Sequence, residues 1–145
     1  MTQHKDLQLA ADLRNVVTRL VKKMRKESAT GQQLSMTERS TLALLQQHKE
    51  LLPSELASME HITNQSMSQI VSHLLELGLI SRTASVTDKR KVIIALTAEG
   101  EKTIMRVRSE REEWLAKAIN ESCTDEEAAI LKHAITALTK LVEFE

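Results

Sequence analysis

The spacing of apolar and polar positions predicts a chain of helices with one pair of strands. Apolar residues recur every three or four positions over 6–27, 35–48, 62–78, 98–120 and 124–142, as in amphipathic helices. Pro53 favours a shorter helix over 51–59. Two β-branched runs, 79–85 and 91–97, predict a hairpin with a polar tip at 86–90, and residues 28–33 are predicted as a loop. The fold class is therefore mainly α with a small β-hairpin.

Capping sequences mark several helix starts. Ser35 and Glu38 have the spacing of a capping box, and so do Thr124 and Glu127. Thr97 is predicted to cap the long helix after the second strand. These signals predict where three of the helices begin.

The helix over 62–78 has an outer face of amides and hydroxyls. Exposed helix faces usually carry long charged side chains, whereas short polar groups can pair with base edges. The polar residues of this face, which we take as candidates for base contact, are Asn64, Gln65, Ser66, Ser68, Gln69, Ser72 and His73. An ordinary solvated face explains the helix alone equally well, so both interpretations stay open here.

The hairpin that follows is basic. Its cationic residues are Arg82, Lys89, Arg90 and Lys91. A short helix, a polar-faced helix and a basic hairpin, in that order, form a winged helix-turn-helix. The polar helix would enter the major groove of double-stranded DNA, and the hairpin would lie over the backbone or an adjacent minor groove.

Three short motifs in this region resemble the MarR family of bacterial transcription regulators. They are Gly78-Leu79-Ile80, then Asp88-Lys89-Arg90-Lys91, then Leu96-Thr97-Ala98-Glu99-Gly100. Their order and spacing are similar to the wing signature of that family. The resemblance extends over nearly the whole chain, and it implies a homodimeric, DNA-binding transcription regulator, most often a repressor.

Residue roles follow from the resemblance. Arg90 is expected to enter the minor groove, with Asp88 orienting it by an ion pair. Arg82, Lys89 and Lys91 would hold phosphates. Ser54, at the start of the short helix, is expected to cap that helix or to touch the DNA backbone. The chain departs from many members because its polar helix lacks arginine and lysine, so affinity should depend more on the wing.

The two ends of the chain carry further apolar stripes. Residues 1–30 and 101–145 are predicted as dimerisation helices, and 31–100 as the winged helix-turn-helix domain. The resemblance implies a two-fold dimer that presents two reading helices about one DNA turn apart to a near-palindromic operator. It also implies a small aromatic or lipophilic acid as ligand.

Composition agrees with one domain that has a real core, or with a small domain plus an oligomerising extension, and the charge is local rather than net. The 145 residues are 41% hydrophobic and have a net charge of zero, which at first argues against nucleic acid. Residues 79–108, however, hold seven basic and three acidic groups. Salt screens distant charges, so the attraction of a phosphate depends more on this local excess of positive charge than on the net charge of the chain. No apolar run approaches the ~20 residues of a membrane span, and the first residues lack a signal peptide, so we expect a cytoplasmic protein without membrane contact.

Catalytic and metal-binding patterns are missing. The five histidines are scattered, there are three glycines, and Cys123 is the single cysteine, which we take as a small structural residue. We therefore predict no enzyme activity and no cofactor. Two alternatives remain open: a winged-helix module that binds protein partners, and a redox or metal sensor of the same family.

Overall fold

Seven helices and three strands form the described part of the chain. The computed structural model describes the backbone of residues 2–145 and the side chains of residues 6–145, so His4 lies outside the described side chains. The elements are α1 (Thr2–Glu27), α2 (Ala29–Gln32), α3 (Met36–His48), β1 (Glu50–Leu51), α4 (Pro53–Met59), α5 (Asn64–Glu76), β2 (Ile80–Ala84), β3 (Val92–Leu96), α6 (Ala98–Ser122) and α7 (Asp125–Val142). Within residues 2–145, no helix combines the length and apolarity needed to cross a bilayer.

The predicted hairpin is part of a three-stranded antiparallel sheet in the order β1, β3, β2. Strand β1, which the apolar pattern did not predict, pairs Leu51 with Ile94 of β3. Two residues are too few to display an alternating pattern. Lys49, at φ 66°, ends α3 and turns the chain into this strand.

The core lies within the central part of the chain. Its buried apolar residues come from α3, β1, α4, α5, β2, β3 and the segments that precede α3 and β2. Those that are at most 1% exposed are Leu42, Leu45, Leu56, Met67, Leu74 and Ile94. Each such burial stabilises the fold by about 1.5–3 kcal/mol, so this cluster fixes how α5 sits on α3 and α4.

The loop predicted over 28–33 is wrong in part, because it contains the single-turn helix α2. Glu110 of α6 holds this turn: it accepts hydrogen bonds from the hydroxyls of Ser28 and Thr30, each at 2.6 Å. These hydroxyls, Ser28 first, lower the pKa of the Glu110 carboxyl. The partner that orders the segment lies about eighty positions away along the chain, beyond the reach of a local pattern.

The predicted capping boxes are present at the starts of α3 and α7. Ser35 Oγ accepts from the Glu38 N–H at 3.0 Å, and Thr124 Oγ1 accepts from the Glu127 N–H at 3.1 Å. In both boxes the glutamate side chain accepts the N–H of the cap residue in return. The prediction that Thr97 caps α6 is also confirmed, since its Oγ1 accepts from the Gly100 N–H at 3.0 Å.

The end of α5 and the start of α6 meet at a close backbone crossing. The Leu79 carbonyl accepts from the Thr97 N–H at 3.1 Å, and the Thr97 hydroxyl donates to the Gly78 carbonyl at 2.7 Å. A Cβ on Gly100 would lie 2.0 Å from the Leu79 carbonyl oxygen. The glycine is therefore required for the approach of two backbones.

Two glycine substitutions should differ in cost. Gly100→Ala forces the crossing apart, and we expect it to lower the free energy of unfolding by about 3 kcal/mol or more. Gly78 has φ 74° with open space around its Cβ position, so Gly78→Ala should cost only the backbone strain of about 1–2 kcal/mol. Urea denaturation of both variants at one protein concentration measures the difference. Equal losses would contradict the steric role of Gly100.

Candidate nucleic-acid interface

Helix α5 presents its polar residues outward because its apolar stripe is fixed in the core. Met67, Val71 and Leu74 are buried on the inner side. All seven of the predicted contact residues on this helix are exposed: Asn64, Gln65, Ser66, Ser68, Gln69, Ser72 and His73. Thr63, which the sequence pattern did not single out, caps the helix by accepting the Ser66 N–H at 3.1 Å. Its hydroxyl also donates to Ser66 Oγ at 3.0 Å, so Ser66 serves partly in the cap.

His73 lies at the edge of the polar face that adjoins α3. Its Nδ1 contacts the carboxylate of Glu38, which is 7% exposed. This hydrogen bond, followed by the charges of Glu38 and Glu76, raises the pKa of the His73 imidazole. The sequence pattern indicates His73 without its partner, since Glu38 is recognisable there only as a capping residue of α3.

At the tip of the wing (residues 80–96), Asp88 forms a tight turn between strands β2 and β3. Lys91 N–H donates to the Asp88 carbonyl at 3.0 Å, and the Asp88 carboxylate accepts the Arg90 N–H at 3.0 Å. No ion pair between the side chains of Asp88 and Arg90 forms among the described residues, which differs from our expectation. A carboxylate at the first position of a turn reaches the backbone two residues on, and this local bond takes the place of the ion pair.

One groove joins the wing to the helix-turn-helix. It has a volume of about 380 Å³ and is lined by Leu52, Pro53, Ser54, Asn64, Arg90, Lys91 and Val92. The capping role expected of Ser54 is wrong, because Leu52 occupies the cap position and Glu55 accepts its N–H at 2.9 Å. The Ser54 hydroxyl instead borders the same groove as Asn64, Arg90 and Lys91. Four predicted contact residues are thus brought together.

The remaining cations lie outside this groove. Arg82 is exposed on β2, opposite Ile94, and Lys89 is exposed at the tip of the turn. The surface therefore combines a helix face without lysine or arginine and a hairpin with four cations. Such a surface can approach a polyanion through the hairpin and offer hydrogen-bonding groups from the helix.

Comparison with known proteins places the chain in a family. The MarR family model matches residues 34–92. The transcriptional regulator FarR of Neisseria gonorrhoeae is 31% identical over 100 residues, which are 69% of this chain and 68% of FarR. The chain belongs to the MarR family. It is accordingly a DNA-binding transcription regulator and not an enzyme.

Two further similarities cover nearly the whole chain. A solved structure from Pseudomonas aeruginosa PA01, assigned as a transcriptional regulator, is 33% identical with a TM-score of 0.81, covering 97% of this chain and 98% of that one. The transcriptional repressor MdtR of Bacillus subtilis (strain 168) is 26% identical, covering 94% of this chain and 84% of MdtR. The predicted fold class, a winged helix-turn-helix with flanking helices, is confirmed as that of MarR regulators.

A cavity in this MarR protein was not predicted from the sequence. It lies between α3 and α6, has a volume of about 140 Å³, and has apolar walls that include Leu42, Ile104 and Val107. Arg39, Arg108 and Arg111 also line it. Nε and Nη1 of Arg39 and Nε of Arg111 are buried without a hydrogen-bond partner among the described residues. The one sequence signal is the spacing of Arg111, which lies four positions after Val107 and three after Arg108 and is therefore beside both on the surface of α6.

The redox and metal alternatives gain no support from the arrangement of side chains. Within the described residues, no three histidine, cysteine or acidic side chains cluster as metal ligands would. Cys123 is half-buried at the end of α6, where its Sγ lies 3.9 Å from Ser122 Oγ.

The role of Asp88 in this MarR wing can be tested with two variants. Asp88→Asn keeps an oxygen that can accept the Arg90 N–H, whereas Asp88→Ala removes it. We expect Asp88→Asn to bind DNA at least as well as wild type, because one negative charge is lost near phosphates. Asp88→Ala should bind about three- to tenfold more weakly, because the turn loses a bond to a charged acceptor. Fluorescence anisotropy with a labelled duplex measures both, and equal weakening would favour an ion pair instead.

Proposed function

We propose that the protein is a homodimeric, sequence-specific transcriptional repressor that recognises a near-palindromic operator and is released by a small acidic ligand. The observation that carries the DNA-recognition part is the combination of an exposed amide and hydroxyl face on α5 with a cationic wing across a shared groove. The similarity to MdtR, a repressor in Bacillus subtilis, supports the repressor assignment.

In this proposal the helix reads bases and the wing holds the backbone. Gln65, Gln69 and Ser72 lie on the outermost part of α5, where amides can make paired hydrogen bonds to adenine. Arg90 enters the minor groove, and Ser54 and Asn64 contact phosphate from the other wall of the groove. The other phosphate contacts come from Arg82, Lys89 and Lys91.

Exposed apolar helices support the homodimer. None of the residues of α7 is buried, although the helix is 18 residues long. Its exposed apolar residues include Ile130, Leu131, Ile135, Leu138, Leu141 and Val142, and α1 exposes Val16, Val17, Leu20 and Val21. Apolar surfaces of this extent on a small protein are typical of a subunit interface. The terminal segments 1–30 and 101–145 would thus dimerise, leaving 31–100 to bind DNA.

Selection from a library of random duplexes tests the function directly. We expect the retained sequences to contain two inverted half-sites whose centres lie about 10 base pairs apart, because a two-fold dimer presents two reading helices. Binding should fall steeply with added salt, as expected for phosphate contacts. No enrichment, or binding indifferent to salt, would favour the alternative of a module that binds protein partners.

Two variants in the same selection separate the helix from the wing. Arg90→Ala should weaken binding to every duplex, while the base preferences of the selected sequences stay the same. A cation that contacts the backbone or the minor groove acts mainly on affinity. Gln69→Ala should relax the preference at one position of each half-site by about 1–3 kcal/mol. Unchanged affinity of Arg90→Ala would remove Arg90 from the proposed interface. Unchanged base preferences of Gln69→Ala would remove Gln69.

The cavity between α3 and α6 supports release by a ligand. Its volume of about 140 Å³ is close to that of an engineered apolar cavity that binds benzene, about 150 Å³. The buried nitrogens of Arg39 and Arg111 have no hydrogen-bond partner among the described residues and favour an anion, since a buried N–H group without an acceptor is costly. One aromatic ring with a carboxylate meets both requirements. A ligand there would lie between α3 of the DNA-binding domain and α6.

Benzoate and the neutral benzamide are matched probes of this cavity. We expect benzoate to bind more tightly, with a change in fluorescence of Trp114, and to release labelled DNA. Arg39→Met should reduce benzoate affinity about tenfold, because it removes a charged hydrogen-bond donor, without destabilising the free protein. Lys102→Met, which removes an exposed cation of α6, serves as the control. Equal binding of the two probes would contradict an acidic ligand.

A further inference from the structure

His73 is the one residue of α5 whose side chain can carry a positive charge, because the helix from Asn64 to Glu76 contains no lysine or arginine. Its side chain is 46% exposed, and its ring makes a single hydrogen bond within the described residues, from Nδ1 to Glu38. The second ring nitrogen, Nε2, has no such partner. It is therefore available to a ligand that covers this edge of the helix.

The Glu38 carboxylate decides which nitrogen of His73 carries hydrogen. Its Oε1 already accepts the Ser35 N–H at 2.8 Å, and its Oε2 faces His73. Burial favours the neutral acid, but the Ser35 N–H and the His73 ring outweigh it and lower the pKa of Glu38. An ionised carboxylate can only accept hydrogen bonds, so Nδ1 must be the donor.

The state of Nε2 then depends on the charge of the ring. A neutral imidazole has one N–H, and with that hydrogen on Nδ1 the outward Nε2 presents a lone pair. A protonated imidazole has two N–H groups, and Nε2 becomes a donor. DNA phosphates and most base edges of the major groove are acceptors, so they are repelled by the first form and bound by the second.

We propose that Glu38 is a positioning residue for DNA recognition: by holding the hydrogen of His73 on Nδ1, it makes the outward Nε2 a donor to DNA only when the ring is protonated. This inference rests on the proposed function, in which α5 faces DNA. In this proposal Glu38, a capping residue of α3, controls a DNA contact that His73 of α5 makes. Because that contact needs the protonated ring, protons are taken up when DNA binds.

The surroundings of the ring set the direction of the pH dependence. Helices α3 and α4 and strand β2 pack against α5, and within the described residues the charges that act on His73 are Glu38 of α3 and Glu76 of α5 itself. Both carboxylates raise the pKa of the imidazole, which ordinarily lies at about 6.5. The donor form thus extends toward neutral pH, and DNA affinity falls as the pH rises through the pKa of His73.

Glu38→Gln separates this role from simple capping. The new side chain can keep the Ser35 N–H on its oxygen while its amide donates to Nδ1, which moves the hydrogen of the neutral ring to Nε2. The duplex recovered by selection and a shuffled duplex are titrated by anisotropy from about pH 6 to pH 9. We expect wild-type affinity for the selected duplex to fall about tenfold over this range and that of Glu38→Gln to change less than about threefold.

Matched controls isolate the histidine contact. Glu127→Gln makes the same change in the capping box of α7, where Glu127 has no histidine partner among the described residues, and should keep the wild-type pH profile. His73→Gln should abolish most of the pH dependence. The proposal would be overturned if the DNA affinity of Glu38→Gln fell with pH as steeply as that of wild type. It would also be overturned if Glu38→Gln lost affinity by the same factor at every pH.

Nitrogen NMR of the free protein tests the tautomer without DNA. Above the pKa of His73, wild type should show the hydrogen on Nδ1 and Glu38→Gln should show it on Nε2. A wild-type ring with its hydrogen on Nε2 would overturn the inference alone, while the proposed function would stand. A wild-type protein that selects no duplex would overturn the proposed function and the inference with it.

Discussion

The carbonyl of Leu79 joins the turn that follows α5 to the start of the long helix α6. It accepts the Thr97 N–H, and its oxygen occupies the space that any side chain at Gly100 would need. Because Thr97 also caps α6 and donates to Gly78, the turn after α5 and the first turn of α6 are fixed to each other at one point. The orientation of α5 is thereby linked to that of α6, and a displacement of α6 would move the helix that is proposed to read DNA.

Charge is distributed along the chain in a way that the net value of zero conceals. The wing region is basic, α5 is nearly neutral, and residues 109–145 carry nine acidic and four basic groups. The acidic part lies mostly on α6 and α7, outside the surface formed by α5 and the wing. Because electrostatic attraction to phosphate decays over about 10 Å in salt, the acidic groups of α6 and α7 would hardly weaken the proposed attraction of the wing to DNA.

Local sequence patterns predicted most helices, both capping boxes and the wing, because each of these depends on neighbours within a few residues. The parts that they did not predict depend on distant partners. Strand β1 exists through its pairing with β3, the helix α2 through Glu110, and the environment of His73 through Glu38. The Asp88 to Arg90 contact was predicted with the right partners, but the backbone N–H replaces the guanidinium.

The absence of lysine and arginine from α5 has a consequence for selectivity. In the proposed interface the groups of α5 other than His73 that would bond to bases are neutral and release no counterions, whereas the cations of the wing would release them on binding any duplex. Higher ionic strength would then weaken the hold on all DNA while leaving the free-energy difference between the operator and other sequences nearly constant. A regulator built in this way would discriminate between sequences almost equally well in dilute and in concentrated salt.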